Sequence, residues 1–346
     1  MSLLKNILNK RTILSAFIIF TSCVCSAFQA TEPTNEPSDV QPEVSDTRNF
    51  TSADDWLKYM SLSIDDASFE AFFVVNTDKK ETQPYLWRKG KTQDGIPIEQ
   101  LSLLNGPGSE QFAYQGKVSI IEPGYPAYSI AGDYVRSPIP DALMRSSELL
   151  EKGYDSIIMA RNRIAGRMAQ QVRVVSKDKT RFGYHLWIDE TTGMLLKLNT
   201  YNLEGQLIEQ IQMTQIKFGD EVDQVFANFN PDYLPEVRTV YANQEIPFSW
   251  DVSYMPVGME VVKRSQHRIQ GTGQLTEYIM LSDGLIDVSI YLIKANLAFD
   301  EKQSWHSGLN AVVTKSDGQY QVTVLGRLPS QTAYKIANSI ILVDQK

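Results

Sequence analysis

RNRIAGRMAQQVRVVSKDKTRFGYHLWIDETTGMLLK, residues 161–197, reads as three consecutive strands with almost no slack between them. Met168, Gln170, Val172 and Val174 share one face, Ala169, Gln171, Arg173 and Val175 the other, and a polar turn follows at Ser176–Lys179. That alternation marks a strand ending in a hairpin. Phe182, Tyr184, Leu186 and Ile188 then share a face, opposed by Arg181, Gly183, His185 and Trp187, until Asp189–Gly193 supplies a second turn. A third strand runs from Met194 to Tyr201, Asn202–Gly205 turns again, and Gln206–Phe218 gives a fourth. Antiparallel hairpins with an apolar face must bury it, so this meander predicts a sandwich or a barrel.

Upstream, Ser52 followed by Asp55 makes a capping box for a short amphipathic helix carrying Trp56, Leu57, Tyr59 and Met60. Strands are predicted at Phe69–Asn76, Tyr85–Arg88, Ile96–Leu104, Gln111–Tyr114, Val118–Ile121 and Ala127–Ala131, and a helix over Asp141–Lys152 closed by Gly153. A further strand covers Asp155–Arg161. Roughly ten antiparallel strands with one or two helices predict a large curved sheet or partly closed barrel with a helical plug. Downstream the pattern stops: residues 219–246 carry Phe226, Phe229, Tyr233 and Leu234 without a period, as expected of a connector that docks through its aromatics. A second domain begins near Phe248. Asp283-Gly284 and Asp317-Gly318 signal hairpins, Ile286, Val288, Ile290 and Leu292 alternate, and Ser330 caps a final helix whose stripe is Ala333, Ile336, Ala337, Ile340 and Ile341.

The N-terminus pairs Lys5, Lys10 and Arg11 with an apolar run over Thr12–Val24 and the small residues Cys25, Ser26 and Ala27, which is the layout of a secretory signal peptide. The run is shorter than the ~20 residues that span a bilayer. Cleavage is expected after Ala27, with Ala30 as the second choice; lipoprotein cleavage before Cys23 is disfavoured by Phe20, where such signals carry Leu. Losing residues 1–27 takes three basic residues and both cysteines, moving the formal charge from −8 to −11 and leaving no thiol chemistry. A strongly acidic chain argues against nucleic acid as a partner. Residues 28–49, with Pro33, Pro37 and Pro42 among acidic side chains, read as a disordered leader. The organisation is therefore signal peptide 1–27, leader 28–49, first domain 50–218, connector 219–246 and second domain 247–346.

No catalytic residue, metal site or cofactor is assigned. The three histidines, His185, His267 and His306, have no metal-binding spacing, and Ser304-Trp305-His306-Ser307-Gly308 is not accompanied by a nucleophile elbow. Asp54-Asp55 fits a helix N-terminus and Asp65-Asp66 a turn. What stands out is charge. Arg161, Arg163, Arg167, Arg173, Lys177, Lys179 and Arg181 make the start of the meander basic within an acidic protein. They are either solvated strand and turn positions or a docking strip for carboxylates or phosphates, with Arg161, Arg163, Arg167 and Arg181 as the candidates. Phe72, Val74, Leu86, Leu101 and Leu103 could line a cavity for acyl chains on a concave face, core packing being the competing role.

LSLLNGPG at 101–108, RIAGRMAQ at 163–170, SKDKTRFGYHLWID at 176–189, TGMLLK at 192–197, SDGL at 282–285 and LPSQTAYKIANSI at 328–340 resemble the periplasmic sigma-E regulatory proteins of the RseB/MucB family. The resemblance implies a mainly β, α+β protein: a large, open, curved antiparallel barrel of the LolA/LolB type with a helical lid, then a smaller α+β C-terminal domain. It implies a periplasmic location in a Gram-negative cell and negative regulation of the envelope stress response. The expected partner is the periplasmic domain of an RseA-type anti-sigma factor, shielded from the site-1 protease and released by lipopolysaccharide or acyl chains. A lipid or lipoprotein carrier is the alternative, and a homo-oligomer stays open. The acidic leader is longer than the family's pattern suggests.

Overall fold

The protein is described by a computed structural model, which covers residues 50–78, 80–237, 248, 250–268, 273–295 and 298–342. The signal peptide and the whole of the leader expected at 1–49 lie outside these residues, as does most of the connector's second half.

Helix α1 (Ala53–Asp66) opens the described chain. Its capping box is formed as the sequence requires: the Asp55 amide donates to Ser52 Oγ at 3.1 Å, and the Asp55 carboxylate accepts from the Ser52 amide. Asp65 and Asp66, read from sequence as a turn, are the helix's last two residues. The end is satisfied from outside, because Lys89 Nζ donates to the carbonyls of Ile64 at 2.8 Å and Asp65 at 2.5 Å.

Six strands follow: β1 (Phe69–Thr77), β2 (Lys80–Lys91), β3 (Pro97–Leu103), β4 (Ser109–Tyr114), β5 (Lys117–Ile121) and β6 (Tyr128–Ala131). The single helix expected over 141–152 is broken. A short α2 (Asp141–Arg145) gives way at Ser146 (φ −145°, ψ 51°) to a 3-10 turn over Ser147–Leu150. The meander then runs as β7 (Tyr154–Ile164), β8 (Arg167–Ser176), β9 (Gly183–Asp189), β10 (Leu195–Tyr201) and β11 (Leu207–Phe218). All eleven strands form one antiparallel sheet in the order β6-β5-β4-β3-β2-β1-β11-β10-β9-β8-β7, so β6 and β7 are opposite edges and the sheet is open. Register puts Val75, Ile211, Leu198, Leu186 and Val172 in one row across five strands, and each is buried. Trp56, Leu57, Met60 and Ile64 of α1 belong to the same buried cluster, so the helix serves as the lid of this inner face.

On the outer face the chain leaving β11 forms a 3-10 turn over Asp220–Phe226 that lies on β2. The approach needs Gly90, since a β-carbon there would sit 2.6 Å from Asp223 Oδ1. Phe226, Phe229 and Leu234 pack with Ile98, Phe112 and Tyr114, while Tyr233 stays exposed.

The smaller C-terminal domain contains β12 (Trp250–Val252), β13 (Glu260–Arg268), β14 (Leu275–Ser282), β15 (Asp287–Lys294), β16 (Ala298–Ser307), β17 (Asn310–Asp317), β18 (Tyr320–Gly326), α3 (Ser330–Asn338) and β19 (Ile340–Leu342). Six of its strands make a second antiparallel sheet, β13-β14-β15-β18-β17-β16, and β12 pairs with β19. Ile286, Val288, Ile290 and Leu292 are buried on one face, as their alternation predicts. Two details of the last helix differ from the sequence reading. Pro329 occupies the N-cap position and Ser330 makes no capping bond, while Ile340 and Ile341 leave the helical stripe for β19, with Ile341 exposed.

Candidate partner-binding site

Arg181 follows β8 in the loop that leads to β9, and its side chain turns inward. Nη1 donates to Asp283 Oδ2 at 2.5 Å, and Nη2 donates to the Val257 carbonyl at 2.8 Å and the Gly153 carbonyl at 3.1 Å. Asp283 also accepts from the Tyr154 hydroxyl at 2.9 Å, and the Arg181 guanidinium lies over the Tyr154 ring. Around this core, Asp178 accepts from the Val257 amide at 2.7 Å and Thr332 Oγ1 donates to the Thr180 carbonyl at 2.6 Å. Arg327 donates from the C-terminal domain to the Pro138 carbonyl and to Glu209. This is a charged seam between the two sheets, with Arg181 and Asp283 buried at its centre. Burial alone would raise the Asp178 carboxyl; the hydroxyls of Thr180 and Ser176, the Val257 amide and Arg181 outweigh it and hold the group well below the ordinary carboxylate range. Burial, reinforced by the Asp283 charge, pushes the Tyr154 hydroxyl far up, so it stays a neutral donor.

The expectation that Arg181 contacts a partner is therefore corrected: its carboxylate is supplied by the chain's own second domain, and its side chain is 1% exposed. Asp283, Tyr154 and Asp178 were not singled out from sequence. Asp283 stood out only as half of a hairpin dipeptide, because a pair separated by 102 residues leaves no local signal.

The other three arginines sit at the β7–β8 corner. Arg161 Nε donates to Gln170 at 3.3 Å and lies 2.9 Å from Glu190, an ion pair without hydrogen-bond geometry. Arg163 Nε donates only to the Gly166 carbonyl at 3.1 Å. Arg167 is tied to Asp189, whose side chain is 1% exposed, at 2.6 Å from Nε. Much of the positive strip is thus balanced locally, and Arg161 and Arg163 lie at the exposed corner.

Beside them, β7 presents Ile157, Ile158 and Met159 at about 40% exposure each, with Met168 across the turn. A bulge separates Ile158, which faces Val172, from Arg161, which faces Gln170. Its carbonyls are already occupied, since Gln170 Nε2 donates to Met159 and Asn162 Nδ2 to Ala160.

The residues proposed for an acyl cavity do not converge. Phe72 lies opposite Leu86 on the outer face, with Val74 two positions along, whereas Leu101 pairs with Trp87 and Leu103 with Tyr85 on the inner face. Alternation gives the period within a strand but not the phase between strands. Leu101 is buried beneath α1 in the core cluster. One space that opens beside the end of α1 is a cavity of about 410 Å³, lined by Asp65, Lys89, Ile98, Glu99, Ala113 and Tyr134 among others. In its wall Glu99, 4% exposed, binds Arg145 at 2.7 Å and accepts from Trp87 Nε1 at 2.6 Å.

His185 lies on the outer face, 3.3 Å from Gln171 and with its ring tilted against Tyr201, centroids 4.4 Å apart. Burial, helped by the Arg173 charge, lowers it to about 4, so it is neutral at pH 7. Among the described residues no three His, Cys, Asp or Glu side chains group as metal ligands.

Fold and seam together define a class: a two-domain protein in which an open eleven-stranded sheet is locked to a smaller α+β unit through buried charge. The sequence model of the MucB/RseB N-terminal domain matches residues 52–231, and that of the MucB/RseB C-terminal domain matches residues 244–341. The chain belongs to the MucB/RseB family. It is 28% identical to the Sigma-E factor regulatory protein RseB of Salmonella typhimurium over 82% of this chain and 89% of that one. It is 26% identical to the Sigma factor AlgU regulatory protein MucB of Pseudomonas aeruginosa over 83% and 90%. Among solved structures, the Pseudomonas aeruginosa MucA/MucB complex contains a chain with a TM-score of 0.65 at 26% identity, covering 85% of this chain and 99% of that one. MucB in complex with MucA(peri) gives 0.63 at 26% identity, over 85% and 100%.

Proposed function

We propose that this protein is a periplasmic negative regulator of the sigma-E envelope stress response. It binds the periplasmic domain of an RseA-type anti-sigma factor without catalysis and shields it from site-1 proteolysis. Lipopolysaccharide or its acyl chains release it. The observation that carries the reading is the fold shared across both domains with MucB as solved together with MucA. The exposed β7 edge and the Arg163 corner are the surface that suits a protein partner, and the cavity beside α1 suits a chain inserted under the helix. Two ligands that prefer different states of one protein oppose each other by linkage. A lipid carrier proper would leave the second domain and its seam without a task.

The test is cleavage of the anti-sigma periplasmic domain by its site-1 protease. This protein should slow the cut, and added lipopolysaccharide should restore it. Cleavage at the same rate with and without the protein would overturn the proposal.

A further inference from the structure

The two edges of the large sheet are treated differently. At β6 the chain covers itself, as Val237 bridges to Ser129 in parallel and Ser129 Oγ donates to the Pro235 carbonyl. At β7 no described strand pairs with the outer side, although this strand is eleven residues long and carries exposed isoleucines. A long apolar edge strand is a template for a further strand, and proteins ordinarily blunt it; here a bulge with the Met159 and Ala160 carbonyls occupied interrupts the edge, and the strand continues on both sides of it.

We propose that the outer edge of β7 is the docking strand for the anti-sigma partner, an extended segment of which adds to the sheet as its twelfth strand. This rests on the function proposed above and names the site. Chemistry specifies the segment. Ile158, Arg161 and Arg163 face the same side as Val172, Gln170 and Met168, their opposites on β8. Arg161 and Arg163 are two residues apart, hence about 7 Å along the strand on one face. Both hydrogen-bond through Nε and lie exposed. The matching segment carries an apolar residue beside Ile158 and, past the bulge, two carboxylates at alternate positions beside the arginines, where planar forks accept planar anions. A second copy of this chain fits less well. Antiparallel self-pairing centred on Met159 would set the two bulges against each other and spoil the ladder where it should be tightest.

Hydrogen exchange of the full mature chain, with and without the periplasmic domain of its anti-sigma partner, tests this. Amides within 154–164 should slow on binding, and R161E/R163E and I158K should weaken the complex by about tenfold or more. R163E alone serves where the others fail to fold, because Arg163 meets only a backbone carbonyl. Should the wild type bind while β7 exchanges at its free rate and R163E binds equally well, the docking edge is wrong and the regulatory function stands. Absence of wild-type binding removes both. Light scattering that shows the variants splitting a dimer, with partner affinity untouched, assigns the edge to a second copy and overturns the inference.

Discussion

Asp283 illustrates how much can hang on one carboxylate. It holds Arg181 and Tyr154 of the first domain, and two of its own loop's amides, Leu285 and Ile286, donate to its other oxygen at 2.9 Å. Asp283→Asn removes the charge while keeping the shape, leaving a buried guanidinium with only the partly exposed Asp178, 3.3 Å away, as its anion. The expected cost is about 3–5 kcal/mol, read as a lower midpoint in urea unfolding. Arg167 carries a milder version of the same dependence, because its removal strands Asp189; for this reason Arg163, and not Arg167, is the position for testing partner contacts. His185 gives a pH dependence of defined sign. Its folded-state value near 4 lies below the ordinary 6.5, so between those values the unfolded chain binds the proton and the folded one does not. Stability therefore falls as pH drops from 6.5 to 4, by about 1 kcal/mol once partial exposure is discounted. His185→Gln should flatten that slope in pH-dependent thermal melts. At this scale the sequence is a poor guide: it points to the basic strip but cannot distinguish Arg181, which turns into the seam, from Arg163, which turns out.

Elements were far more legible than contacts. The meander's strands at β8 to β11 fall within one or two residues of their sequence reading, because alternation there is clean and the turns are polar. β2 was read as four residues and spans Lys80–Lys91, since Pro84 and Gly90 disguise the strand. Gly90 has a tertiary reason, since it makes room for Asp223. The capping box of α1 was visible, and Ser52→Ala should lower stability by about 1 kcal/mol, seen as a lower midpoint on thermal melting. Gly258 was not. Its φ of +86° and a β-carbon site 2.7 Å from the Gly153 Cα and amide nitrogen leave no space for alanine, whereas Gly106, at a similar φ of +76°, has nothing within 4 Å. Gly106→Ala isolates the backbone strain, about 1–2 kcal/mol; Gly258→Ala should cost more than that in the same denaturant titration, the excess reporting the seam.

For the whole molecule, one hydrophobic cluster includes buried residues of both sheets, from Phe73 and Leu186 to Ile290 and Val324. Together with the charged seam this predicts one cooperative unfolding transition in calorimetry, with the calorimetric enthalpy equal to the van't Hoff enthalpy. Two separated transitions would show that the domains are only loosely joined. The two-domain arrangement could be read from the chain, because the strand pattern stops and restarts; the seam could not, because it joins side chains remote in sequence. That remoteness has a consequence for biogenesis. The ribosome delivers Arg181 102 residues before Asp283. The first domain thus emerges with a cation whose only local anion is the partly exposed Asp178, 3.3 Å away, and it completes its packing only when the buried counter-ion arrives. Newborn chains, and fragments cut short before residue 283, are the forms of this protein that quality-control proteases should find most easily.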